Sequence, residues 1–252
     1  MIFLFRALAV IFVSGLFRSA YAAELTVHYQ QQNLQTISLA DGEKLDKFYA
    51  QVQLPREADW RSSLLTNPMR QAQFKKETNR LKSELDRLEQ HWLRQDETGL
   101  VQSIRQLKRE LFQIKVAGRI PAELDPDMIR LRMQYNRPLV DSYTLYIATH
   151  SDDLNIVGLV NGKSNVKLKS GWSIEEYIAN SKHLVGAEIS YGYLISSNGS
   201  WQKIPLAYWN KKHIEPKSGS TLFIGFDSAL LPDEFLDLNM LIANFIANRI
   251  PQ

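Results

Sequence analysis

Few side chains in this sequence have the types and spacing to do chemistry, and each such group has a simpler structural explanation beside it. His150-Ser151-Asp152-Asp153 joins an imidazole, a hydroxyl and two carboxylates, the raw material of a triad or a metal site. No second histidine lies at ligand spacing, and His28, His91, His183 and His213 are scattered singly, so a strand-end turn accounts for the cluster. Asp125 and Asp127 offer a carboxylate pair such as glycosidases use, yet Asp-Pro-Asp is more often a turn sequence. Gly158 and Gly162-Lys163-Ser164 imitate a phosphate loop, with three residues between the glycines where four are needed. Asn161-Gly162 reads better as a hairpin turn, and so does Asn198-Gly199 within the glycosylation sequon Asn198-Gly199-Ser200. There is no Gly-x-Ser-x-Gly elbow, and the absence of cysteine excludes thiol nucleophiles, thiolate metal sites and disulfides. The expectation is a protein with no catalytic residues, no metal and no cofactor.

The composition sets the frame around that absence. A chain of 252 residues, 44% hydrophobic and 23% charged, buries a sizeable core in one or two domains. Its formal net charge of +3 gives nucleic acid no strong general attraction. The first 22 residues read as an export signal: Arg6, an apolar run of eleven over residues 7–17, then Ala20-Tyr21-Ala22 as a small-x-small cleavage site. That run is shorter than the roughly 20 residues a membrane span needs. The expectation is an exported, soluble protein.

The rest of the chain must then supply positioning elements. Leu25, Val27 and Tyr29 alternate with polar residues, as do Ile37 and Leu39, which predicts a half-buried hairpin. Asp41-Gly42 can cap a helix carrying Leu45, Phe48, Tyr49 and Val52 on one face. From the Asn67-Pro68 start, Phe74, Leu81, Leu85, Leu88 and Trp92 recur at spacings of seven, four, three and four. Leu100, Ile104, Leu107, Leu111 and Ile114 repeat the pattern after a polar break, so residues 67–114 predict an antiparallel helical hairpin. Its charges alternate in sign, as on a solvated face, and Trp60, Leu64, Leu65 and Phe112 are left to dock it as a brace between units. Residues 128–133 and 142–148 read as strands.

A second unit restates the first. Leu154, Ile156, Gly158 and Val160 alternate, Val166 and Leu168 run back, and Ser173-Ile174-Glu175-Glu176 is a capping box with Ile174, Tyr177 and Ile178 buried. Residues 191–195, 201–206 and 221–226 supply further strands. Residues 232–250 predict a helix with Phe235, Leu238, Ile242, Phe245 and Ile246 on one face, and Asp237, Asn244 and Asn248 pointing away. Nineteen helical residues span roughly 28 Å, near the hydrocarbon thickness of a bilayer. Six polar side chains argue instead for docking on the second unit as a soluble monomer. Two hairpin-then-helix units in series make an α+β tandem.

Several separated motifs, in order, carry a family resemblance. They are Gly118-Arg119-Ile120-Pro121, Leu124-Asp125-Pro126-Asp127, Pro138-Leu139-Val140, Tyr143-Thr144-Leu145-Tyr146, the run from Trp209 to Pro216, Gly219-Ser220 and Leu231-Pro232 with Asp237-Leu238-Asn239. Together they resemble the GfcC (YmcB) family of capsule-biosynthesis proteins over essentially the whole chain after the leader. The resemblance implies tandem β-grasp (ubiquitin-like) domains with a helical-hairpin insertion in the first and a C-terminal amphipathic helix. The expected division is signal peptide 1–22, first domain 23–148 with its insert at about 67–114, second domain 149–228 and C-terminal helix 229–252. The second domain is similar to the soluble ligand-binding β-grasp modules of polysaccharide exporters such as Wza. The implied role is that of a periplasmic accessory protein of group 4 (O-antigen) capsule assembly or export. Its partners would be capsular polysaccharide or outer-membrane export components, with no nucleic acid. A glycan-modifying enzyme and a purely structural assembly factor are the alternatives. The resemblance also places the family's central, pocket-lining arginine on Arg119. There glycine and proline fix the backbone around a five-donor fork suited to carboxylate or phosphate. A structural arginine tying strands together is the other reading of the same residue.

Overall fold

The computed structural model describes residues 23–251 apart from 31, 41, 53–54, 162–164 and 211. The segment read as an export signal, residue 41 of the expected cap and the Gly162-Lys163-Ser164 segment lie outside the described residues. The expected opening hairpin is β1 (Ala23–Tyr29) against β2 (Gln32–Leu39), with Leu25 opposite Ile37. Helix α1 (Leu45–Gln51) follows and buries Leu45, Phe48 and Tyr49. Strand β3 (Ala58–Thr66) comes next, and the sheet closes with β4 (Tyr143–Thr149), parallel to β1 and antiparallel to β3. The order is β2-β1-β4-β3, with Leu25, Val27, Phe48, Leu145 and Ile147 in one core.

Two local expectations are corrected here. Trp60 and Leu65 belong to β3 and pack with the first unit's core instead of docking the helical hairpin; Leu64, on the same strand, is fully buried. Alternation fails in β3 because the register slips between Asp59 and Leu64, where the Asp59 carboxylate accepts the backbone N–H of Arg61 at 3.1 Å. Residues 128–133 are no strand: α4 (Pro126–Leu131) and a 3-10 turn at Met133–Tyr135 replace it. Asp125 Oδ1 accepts the Asp127 N–H at 2.9 Å and Pro126 fills the first turn. That cap-plus-proline start wins over the alternating pattern behind it.

Between β3 and β4 the chain makes the expected helical hairpin, α2 (Pro68–Arg94) and α3 (Thr98–Leu111). Asn67 caps α2, its side chain accepting the Arg70 N–H at 2.8 Å. The helices are tied at their outer seam by Glu89, which accepts from Arg105 Nε at 2.6 Å and Lys108 Nζ at 2.8 Å.

The second unit contains β5 (Asp153–Gly158), β6 (Val160–Asn161), β7 (Asn165–Lys167), α5 (Ile174–Ile178), β8 (Lys182–His183), β9 (Tyr191–Ile195), β10 (Trp201–Pro205) and β11 (Thr221–Ile224). Its main sheet runs β10-β9-β11-β5-β7, with β11 parallel to β5, while β6 and β8 form a separate ribbon. Val160 therefore does not continue the Leu154–Ile156 alternation. Gly158 turns at φ 114° with its backbone against Ile224, and a Cβ there would lie 2.1 Å from the Ile224 carbonyl oxygen. The two main sheets share a plan: a hairpin, a helix, an antiparallel strand, and a last strand that returns parallel beside the first. The chain is an α+β protein.

The second sheet is covered on both faces, which explains the unbroken burial of β11 and its apolar Leu222-Phe223-Ile224. Leu194, Leu222, Ile224, Leu154 and Ile156 pack under Ile174 and Ile178 of α5. The opposite face, with Val157, Ile195 and Phe223, meets the hairpin stripe and the terminal helix in a single core. That helix is shorter than expected. The segment begins as a 3-10 turn at Asp233–Phe235, and α6 (Leu238–Ala247) has 10 residues, about 15 Å of rise. No described helix is long and apolar enough to cross a membrane. Phe245 stacks on Phe74 at 6.2 Å and meets Phe112 edge-on at 6.0 Å, so Phe112 does dock as expected. Asn248, expected to face away, is buried.

Candidate functional site

The segment from Gly118 to Pro121 threads between the two units. The Gly118 N–H donates to Gln71 Oε1 at 2.8 Å, and a Cβ on Gly118 would meet the Arg70 carbonyl oxygen at 2.7 Å. Glycine is required because the first turns of α2 press directly on its backbone. The Arg119 N–H donates to Asn248 Oδ1 at 2.7 Å, and the Ile120 N–H to the Leu65 carbonyl on β3 at 2.8 Å. This backbone is therefore pinned by the hairpin, the first sheet and the residue that caps α6.

From that position the Arg119 guanidinium reaches three elements. Nη1 donates to the Ser63 carbonyl at 2.7 Å, Nε to the Ala247 carbonyl at 3.3 Å, and Nη2 to the Ser197 carbonyl at 3.4 Å. Ser63 lies on β3, Ala247 ends α6, and Ser197 belongs to the β9–β10 turn. That turn closes tightly on the arginine: Gly199, at φ 86°, would place a Cβ 2.6 Å from Arg119 Nε. Sequence reasoning put Arg119 between the units, and it is there. Its donors face backbone carbonyls, however, as the strand-tying alternative requires.

Beside it opens a cleft of about 520 Å³ between the units, and Arg119 is not among the side chains lining it. Ser62 and Ala148 come from the first sheet, Glu110 from α3, Asn155 and Thr221 from the second sheet, and Arg249 from beyond α6. Arg249 Nη2 donates to the Gly219 carbonyl at 2.6 Å, while its Nη1 and the Thr221 hydroxyl are buried without a hydrogen-bond partner. No carboxylate among the described residues forms an ion pair with Arg119 or Arg249. Burial pulls the Arg249 guanidinium down to about 10. Burial, and then the Arg249 charge beside it, pulls Arg119 down to about 10 as well. Across the cleft, burial pushes the Glu110 carboxyl up against the opposing effect of the Gly158 N–H it accepts at 3.1 Å. The arrangement is a desolvated cationic pair with neutral oxygens as its only partners, and a buried cation of this kind is costly without a counter-charge.

The other groups with chemical potential have structural work. Asp125 caps α4 and Asp127 follows it on the first turn. His150 Nε2 lies 2.8 Å from Asp152 Oδ1 on the exposed β4–β5 link. Asn198 Oδ1 accepts the N–H and hydroxyl of Ser200, closing the turn expected there. No group of three or more His, Asp or Glu among the described residues is arranged to hold a metal ion. Sequence reasoning missed Arg249, Thr221 and Asn248. The one available signal was polar: Asn248-Arg249 interrupts the apolar stripe just where the terminal helix ends.

Comparison with known proteins matches this geometry in extent. The chain matches the family model described as Capsule biosynthesis GfcC, N-terminal, over residues 23–150, and that described as Capsule biosynthesis GfcC C-terminal over residues 162–251. The gap between the two falls at the start of the second sheet. The chain is also similar to the Uncharacterized protein YjbG of Escherichia coli (strain K12), at 32% identity over 150 residues. That similarity covers 60% of this chain and 61% of the relative. The two matched regions span both units, so the chain belongs to the GfcC family of capsule-biosynthesis proteins.

Proposed function

We propose that this chain is a non-catalytic periplasmic accessory protein of capsule polysaccharide assembly or export, acting by binding glycan or export machinery at the cleft between its units. The observation that carries the reading is the Arg119–Arg249 pair, desolvated and in ion-pair contact with no carboxylate among the described residues, beside a cleft of ligand size. The apolar run and Ala20-Tyr21-Ala22 support export with a cleaved leader. Strand order β2-β1-β4-β3, and the same plan inside the second sheet, support a tandem of β-grasp modules, with the hairpin inserted in the first. The docked terminal helix supports a soluble monomer. Assignment of Asp125 to a helix cap weighs against a glycan-modifying enzyme built on that carboxylate.

The test is titration of the purified chain from residue 23 with capsular polysaccharide from a producing strain. Saturable binding by a monomer is expected, with no shortening of the glycan. The purely structural alternative is favoured by the three carbonyls held by Arg119. It predicts neither glycan binding nor co-purification with outer-membrane export components.

A further inference from the structure

We infer that Arg249 and Thr221 form an oxyanion subsite in the cleft between the units, built to receive the carboxylate of an acidic sugar. The inference rests on the cleft-binding reading above and names the chemistry the cleft selects.

Three features of the site converge. Arg249 is held at one edge, Nη2 on the Gly219 carbonyl at 2.6 Å, which leaves Nη1 as a fixed but unpartnered donor. The Thr221 hydroxyl lines the same cleft and is also buried without a partner. A hydroxyl rotates freely about its C–O bond, so as a second donor it can turn toward an anion that enters. Arg119 stands close enough to repel Arg249, yet its own donors are engaged by Ser63, Ala247 and Ser197. It therefore adds positive potential without competing for the ligand. An anion entering here gains charge-assisted hydrogen bonds and relieves that repulsion.

The remaining lining sets the class of anion. Asn155 and Asn165 offer neutral amides suited to sugar hydroxyls. Glu110 and Asp153 line the same cleft as carboxylates, with Asp153 also facing Lys167 at 2.9 Å. They oppose a ligand with dense, continuous negative charge and leave room for a single charged group on an otherwise neutral ring. A cleft of about 520 Å³ is in the size range of small-molecule sites.

The experiment titrates the full chain from residue 23 with sodium glucuronate, glucose and inorganic phosphate, following amide chemical shifts and thermal stability. Glucuronate is expected to bind saturably, with shifts centred on Thr221 and Arg249, and glucose at least ten-fold more weakly. Thr221→Val, which removes one oxygen and keeps the shape, is expected to lower affinity about five- to ten-fold with an unchanged melting temperature. Arg249→Gln is expected to abolish measurable binding. If that variant fails to fold, Thr221→Val still decides the matter. Phosphate binding in place of glucuronate, with the same dependence on both residues, supports the oxyanion site and assigns it to phosphate. Equal binding of glucose and glucuronate, binding indifferent to Thr221→Val, or no binding of either anion overturns the inference. Binding of whole capsular polysaccharide in those cases leaves the cleft-binding reading standing on its own.

Discussion

Arg119 bonds three carbonyls that no single ammonium can reach together. Arg119→Lys keeps the charge but loses the fork, and the loss expected is about 2–3 kcal/mol of stability, read as a lowered denaturant midpoint. An unchanged midpoint would return the residue to a ligand-facing role. Glu110 behaves in the opposite sense. Burial raises its pKa above the ordinary 4.5, so the folded state holds the proton more tightly than the unfolded chain does. Stability therefore falls as pH rises from about 4.5 through the raised value. Glu110→Gln keeps an oxygen for the Gly158 N–H and is expected to be more stable than the parent at pH 7, with a flatter pH dependence in that window; chemical denaturation across pH reads both. Position explains which residues were legible. Arg119 stands in the Gly118-Arg119-Ile120-Pro121 motif, and that setting marks it in the sequence. Arg249 carries no such mark, because its partner Gly219 sits thirty residues away and joins it only through the fold.

Elements with strong period were read correctly, and those interrupted by a side-chain turn were not. The stripes of α2 and α3 stand out because apolar residues repeat along one face of each, five on α2 and four on α3, with Ile114 just past its end. Strand β3 was hidden by the Asp59 turn, and α4 by alternation that its Asp125-Pro126 start overrides. The terminal helix was found but overextended, since Pro232 and two acids suit a 3-10 turn as well as an α-helical start. Its docking can be tested at Phe245. Phe245 is 3% exposed between Phe74 and Phe112, so Phe245→Asp puts a charge against two aromatic rings inside the core. The expected cost is about 4 kcal/mol or more, enough to leave little folded protein. Recovery of that variant folded, but with outer membranes, would contradict the docked helix. The Glu89 seam gives a second dependence on acidity. Burial pushes that carboxyl up, but hydrogen bonds from Lys108 and Arg105 outweigh it and hold it below the usual range. Its contribution is present above the ordinary 4.5 and is lost as pH falls through the lowered value.

For the molecule as a whole, the two units were legible as a repeated hairpin-then-helix plan and the insert as a brace between them, whereas the sheet it covers was not. Periodicity says that α2 and α3 have apolar stripes; it does not say which sheet they cover. The hairpin belongs to the first unit by sequence and to the core of the second by packing, where Trp92 meets Phe226 at 5.1 Å. One core thus joins residues from Phe74 to Ala247, and calorimetry of the full chain is expected to show one cooperative transition. Two well-separated transitions would mean the units are independent. The same shared core has a consequence in time. The stripe of α2 and α3 is complete once Leu111 has been made, but its cover on β11 and α6 comes more than a hundred residues later. During synthesis the hairpin has only itself to bury against, so a growing chain carries an adhesive helical pair until its last segment arrives.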